Sequence, residues 1–405
     1  MMRRKPVAAI SIAVGLLFAA GTGSASAAGK YDTGASDTAI KIGQTYPLSG
    51  PDSGAAFGAR AMAAYFAMLN DKGGVNGRKI DLITLDDGYS PPKTVEQTRR
   101  LVESDGVLLM FASLGTPTSE AVRPYLNNKK IPQLFLVSGA SSVVDPKRYP
   151  WTMAGIPSYA AEGRIFAKYI LGEKPDAKIA ILYQDDDFGR DHLDAFVGEL
   201  GEKAAKMIVA KASYQITDPT LTSQIISLKA SGADTVYLIT QGRASPQSVT
   251  AVRAQGWNAL ILLPGVSTSK GIIGSVGDEA LKGVVSGGYM KDPTDPAYAD
   301  DPAVKEYLAW MEKYVPAADQ RINRSAPNGY VAGQLMAEVL RRCGDDLTRE
   351  NVLRQATSLK DFTMPMLLPG MTIDTSATNY FPFGELQMER YDGTRWAPFG
   401  KPIKG

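Results

Sequence analysis

Carboxylates are the residues in this chain whose spacing could do chemistry. Asp86-Asp87 closes one apolar run, and Asp185-Asp186-Asp187 follows another. Paired carboxylates can exchange protons in acid–base work or hold a hard cation. Their neighbours are ordinary turn residues, so a turn or helix-start role is the simpler reading, and the spaced pattern of an EF-hand loop is missing. Histidine occurs once, as His192, and cysteine once, as Cys343. That is too few for a zinc centre or a Cys–His nucleophile. His192 reads as a solvated or helix-face residue. Cys343 reads as a small buried or half-buried thiol with no intrachain partner. No P-loop, no G-x-G-x-x-G after a strand and no G-x-S-x-G elbow occurs. The chain reads as a protein that is not an enzyme and carries no cofactor or metal.

Three loops offer binding instead. They cover residues 47–57, 113–118 and 137–142. In the second, Gly115 allows close approach and Thr116 can cap a helix. The free N–H groups of such a helix start suit a carboxylate. The third, beginning Val137-Ser138-Gly139, adds hydroxyls and further N–H groups. Each loop follows an apolar run that reads as a strand: 39–46, 107–112 and 133–137. Helix signals lie between them, with Met62, Tyr65, Phe66 and Leu69 at helical spacing and Gly73-Gly74 as a stop. A second strand–helix series runs from residue 178, with strands at 179–183, 207–210, 235–240 and 260–263. Helices are expected near 189–203, 218–230, 246–255 and 270–280. Another strand at 284–290 and three helices follow. Asp392-Gly393 then marks a hairpin. Alternating order of this kind predicts an α/β protein built from two Rossmann-like parallel-sheet lobes. Ligands of such sheets sit at the carboxyl ends of strands.

The 405-residue length agrees with two domains. Residues 28–153 plus 288–365 form the expected first lobe, and 154–287 plus 366–405 the second. Crossings at 149–156, 287–292 and 365–375 make a three-segment hinge around a cleft. Residues 1–27 read as a secretory signal, with Arg3, Arg4 and Lys5, an apolar run, and Ala25-Ser26-Ala27 before the cut. The whole chain carries +2, so the part after the signal carries −1. A near-neutral body gives no electrostatic case for nucleic acid or an anionic membrane.

The stretches IKIGQTYPLSG, FGARAMAAYFAMLNDKGGVNGRKIDLITLDD, SPPKTVEQTRRLVE, KIPQLF and KIAILYQDDDFGRDHLDAF resemble the leucine/isoleucine/valine-type periplasmic solute-binding proteins of ABC importers. The similarity runs over about 350 residues, from Ile40 to the end. It implies a periplasmic, monomeric receptor that closes on a small carboxylate-bearing solute and delivers it to permease subunits. The resemblance places the ligand carboxylate at Gly115-Thr116 and Val137-Ser138-Gly139. It places aromatic walls at Phe57 and Phe188, and second-lobe positions at Gln241 and Ser267. The family's ammonium-pairing acid is missing from Pro264-Gly265-Val266-Ser267. Either Asp185 to Asp187 supply it, or the solute is an acid without an ammonium group. A ligand-sensing receptor subunit of the same fold is the alternative function.

Overall fold

The computed structural model describes residues 1–2, 29–323 and 327–405. All but the first two residues of the expected signal segment lie outside them. Among the described residues, no helix is long and apolar enough to cross a membrane.

Five strands make the first sheet: β1 (Ala39–Tyr46), β2 (Lys79–Asp86), β3 (Leu109–Phe111), β4 (Gln133–Leu136) and β5 (Thr152–Ala154). They are parallel, in the order β2-β1-β3-β4-β5. The second sheet holds β6 (Ile179–Gln184), β7 (Ile208–Tyr214), β8 (Thr235–Ile239), β9 (Leu260–Leu262) and β10 (Val285–Gly288). Their parallel order, β7-β6-β8-β9-β10, repeats that of the first sheet. The hairpin of β11 (Glu385–Tyr391) and β12 (Trp396–Pro398) adds antiparallel strands beyond β10. Both orders reverse direction beside the first strand of the lobe, which opens a crevice at the carboxyl ends of the strands.

The helices of the first lobe are α1 (Ala56–Asp71), α2 (Pro91–Arg99) and α3 (Thr116–Asn128). Those of the second are α4 (Tyr159–Glu173), α5 (Asp187–Leu200), α6 (Thr222–Ala230), α7 (Ala244–Ala254), α8 (Lys270–Ile273) and α9 (Asp278–Leu281). The chain then returns through α10 (Pro302–Tyr314), α11 (Asn328–Cys343) and α12 (Arg349–Ala356) to the first lobe. Local chemistry sets several starts. The side chains of Ser158, Asp186 and Asp301 each accept a backbone N–H of the first turn. The single helix expected near 270–280 is instead two short ones, because Gly277 takes a left-handed φ of 84° between them.

Helix α1 is buried on nearly every side, between the first sheet and α11. Close approach is set by glycines on α11: a β-carbon on Gly333 would stand 2.5 Å from the Tyr65 ring. Phe66 is sealed in this layer, edge-on to Phe111 at 5.6 Å. Phe66→Ala should therefore cost about 3–5 kcal/mol, read as a lower urea midpoint of the first lobe. Cys343 is buried here too, and burial pushes its thiol up to about 12.

His192 departs from the sequence expectation. It is fully buried, stacked on Tyr159 at 4.7 Å, with Nδ1 2.8 Å from the Tyr237 hydroxyl. Burial holds its pKa down at about 3, so the ring is neutral. Its helix carries polar residues in sequence, but the face bearing His192 packs on α4.

Candidate functional site

A cavity of about 390 Å³ lies between the carboxyl ends of the two sheets. Tyr46, Asp52, Phe57, Leu114 and Val137 line it from the first lobe. Tyr159, Glu162, Gln241, Val266 and Ile272 face them from the second. The lobes touch around it. Gln241 Nε2 donates to the Tyr89 hydroxyl at 2.5 Å, and Arg243 N–H donates to Pro51 O at 3.2 Å. Ser141 N–H donates to Asp191 at 3.0 Å. This is a closed arrangement.

Of the residues singled out in the sequence, Phe57, Val137 and Gln241 line the cavity. Phe57 also abuts Gly271 of α8, so it contacts the opposite lobe directly. Phe57→Ala should weaken solute binding about tenfold with little change in the unfolding curve; titration calorimetry beside urea denaturation reads both.

Gly115, Thr116, Ser138, Gly139, Phe188 and Ser267 are not among the lining residues, and each has a local reason. Gly115 takes a φ of 109° and lets the Tyr89 ring approach, so its freedom serves packing. It also occupies the cap position of α3, one residue before Thr116. Thr116 and Ser138 bond each other's hydroxyls at 2.8 Å. Gly139 accepts from Tyr159 N–H at 2.9 Å, where the chain crosses between lobes. The Tyr159 hydroxyl is in turn held by the Gly139 backbone and Ser138. Two of the hydroxyls expected to hold a carboxylate thus engage each other. Phe188 is fully buried behind Tyr159, ring to ring at 5.1 Å, so it does not face Phe57. Ser267 donates to Thr240 O at 2.6 Å inside the second lobe.

Asp185 to Asp187 are engaged elsewhere. Asp185 pairs with Arg190 at 2.6 Å, Asp186 caps α5, and Asp187 lies 3.6 Å from Arg190. Asp86 and Asp87 brace the turn at Ser49, Gly88, Tyr89 and Thr94.

An acid from another element approaches the loop at 264–267. Glu162, in the first turn of α4, reaches Gly265 and accepts its N–H at 2.8 Å. It is 5% exposed, and the nearby His192 ring is neutral. Loss of water raises its pKa to about 8, and the Gly265 bond only partly offsets this. Asp52, 3% exposed, has no side-chain donor among the described residues. Burial, with Asp87 adding repulsion, raises it to about 7. Tyr89 is the other residue that sequence reasoning missed. It is buried at a φ of 60°, a conformation that costs a bulky residue about 1–3 kcal/mol. The Asp87 carboxylate holds it there by taking its N–H at 2.9 Å.

Two parallel-sheet lobes closed over a polar-ended apolar cavity define a bilobed solute-binding protein of the type I periplasmic kind. The chain matches the profile of the periplasmic binding protein family over residues 39–395 and belongs to that family. It is similar to "Leu/Ile/Val-binding protein homolog 7" of Brucella melitensis biotype 1, at 25% identity over 321 residues, 75% of this chain and 77% of that one. Its fold is like that of a branched chain amino acid ABC transporter protein from Thermus thermophilus with bound valine (TM-score 0.80, 19% identity, 91% of this chain and 97% of that chain). It is also like a fatty acid ABC transporter substrate-binding protein from Thermomonospora curvata (TM-score 0.77, 18% identity, 93% and 95%). The first holds valine and the second belongs to a fatty acid transporter, so the cargo of this chain has to be argued from its own site.

Proposed function

We propose that this protein is the extracytoplasmic solute-binding component of an ABC importer, and that its cargo is a small solute bearing an ammonium group on an apolar body. It acts as a monomer whose lobes close on the solute and present the closed form to the permease. The solute leaves unchanged, and the protein contributes affinity and a shift toward the closed state.

One observation carries the ammonium: Glu162 is a buried carboxylate on the cavity wall with one N–H partner and no cation. A buried ion is stable only when paired. An ammonium group supplies the missing charge, and Phe57, Val266 and Ile272 accept the apolar remainder. Amino acids, which the named relatives make natural candidates, meet this requirement. Acids without an ammonium group leave Glu162 unpaired.

A thermal-shift panel tests the reading. Ligand at 100 times its Kd stabilises the folded state by about 2.7 kcal/mol. Amino acids and aliphatic amines should raise the melting point, and simple aliphatic or aromatic acids should not. The reverse ranking sinks the ammonium assignment. Recovery of a chemically altered solute after long incubation sinks the receptor reading.

A further inference from the structure

Glu162 engages only one of its two carboxyl oxygens. Oε1 accepts the Gly265 N–H at 2.8 Å. Oε2 has no hydrogen bond among the described residues and lies 3.8 Å from His192 Nε2. That nitrogen is also without a partner among them, although the ring is fully buried. A buried polar atom left unpaired is costly, and native structures rarely keep one without a reason.

The other ring nitrogen fixes where the proton of His192 sits. Nδ1 is 2.8 Å from the Tyr237 hydroxyl. Tyr237 is fully buried too, and this is its only hydrogen bond among the described residues. A buried phenol needs an acceptor for its proton, and Nδ1 is the acceptor it has. Nδ1 is therefore bare. A neutral imidazole then carries its proton on Nε2, the nitrogen beside Glu162. The ring is wedged in place. Tyr159 stacks on it at 4.7 Å, with Phe188 and Tyr237 edge-on at 5.3 Å and 6.1 Å. This aromatic cage also keeps it neutral. A charged imidazolium would pair with Glu162 and shut out a cationic solute, whereas a neutral N–H leaves the charge of the acid free for the solute.

We infer that Tyr237 and His192 form a hydrogen-bonded chain behind the cavity wall, in which Tyr237 fixes the imidazole tautomer and His192 Nε2–H donates to Glu162 once a bound ammonium holds that acid ionised. This rests on the ammonium reading of Glu162 and adds the residue that supports it. His192 does not line the cavity, so it is a positioning residue that acts through Glu162. A charge-assisted N–H···O bond spans about 2.8 Å, so a shift of about 1 Å by the Glu162 carboxylate completes it. Hydrogen bonding to the ionised form favours that form. The other titratable groups facing the pair are Tyr159 on α4 and Tyr289 beyond β10. Burial keeps both of them, and Tyr237, protonated.

His192 is the only histidine of the chain, so labelling histidine rings with nitrogen-15 in tag-free protein gives a single imidazole to read by NMR. From about pH 6 to about pH 9 the nitrogen shifts should show Nε2 protonated and Nδ1 bare. Bound leucine or pentylamine should move the Nε2–H proton downfield. A ring protonated at Nδ1, or an Nε2–H signal that bound leucine or pentylamine leaves unmoved, overturns the proposal.

Calorimetry separates this role from simple packing. His192→Phe keeps a ring and removes the donor, and should weaken leucine binding about tenfold. In a Glu162→Gln background it should cost about threefold or less, because the group it serves is gone. His192→Gln keeps an N–H at the reach of Nε2 and should recover part of the loss. Equal losses in both backgrounds overturn the proposal and leave Glu162 as an ammonium site. A parent protein that binds pentanoate but neither leucine nor pentylamine overturns the ammonium reading itself.

Discussion

Glu162→Gln should weaken binding of an ammonium-bearing solute by about 100-fold or more. Removing one partner of a buried, hydrogen-bonded charge pair costs about 2–5 kcal/mol, and each 1.4 kcal/mol is tenfold in Kd. The amide keeps the size of the side chain and can still accept the Gly265 N–H, so the loop at 264–267 retains its anchor. Calorimetry on parent and variant measures the difference. Unchanged affinity removes Glu162 from the site.

The same substitution should stabilise the unliganded protein at alkaline pH. Glu162 titrates at about 8 when folded, against an ordinary value of 4.5. Between those values the native state holds a proton that the unfolded chain has released. Its contribution to stability therefore falls as pH rises from 4.5 to about 8 and levels off above. Glutamine has no such dependence. The variant should gain on the parent in melting point between about pH 5 and pH 9, and a gain that is flat with pH contradicts the assignment.

Gly271→Leu should hold the lobes apart. A β-carbon on Gly271 would stand 2.8 Å from Phe57 Cδ1 and 2.9 Å from Gly54 O, both in the opposite lobe. A phenyl ring can turn, but the Gly54 carbonyl belongs to the backbone before α1. The closed state should lose about 100-fold in population, near 2.7 kcal/mol, and solute affinity should fall with it. Small-angle scattering at saturating solute should show a larger radius of gyration than the parent. The melting point without solute should change little, because the substitution lies between lobes. A variant that closes and binds like the parent shows that the Phe57–Gly271 contact does not govern closure.

Most of the element series was legible because buried parallel strands read as continuous apolar runs and amphipathic helices as 3-4 spacing. The strand Ala39–Tyr46 was read to its end residues. The hairpin was legible from Asp392-Gly393. The site was less so. Of the residues singled out through the resemblance, Phe57, Val137 and Gln241 line the cavity, whereas the packing of α4 on α5 buries Phe188 behind Tyr159.

The sequence by itself determined the architecture, since periodicity and turn chemistry are local properties of the chain. It also set the absence of thiol, histidine-cluster and phosphate-loop motifs, and carried the resemblance that the family match later supported. The tertiary structure alone decided which polar groups face the cavity. Glu162 and Gly265 are 103 residues apart, and Tyr89 and Gln241 are 152 apart. No local pattern links such pairs. Burial, which depends on every neighbour at once, turns Glu162 from a helix-start acid into a carboxyl group on the cavity wall that keeps its proton to about pH 8.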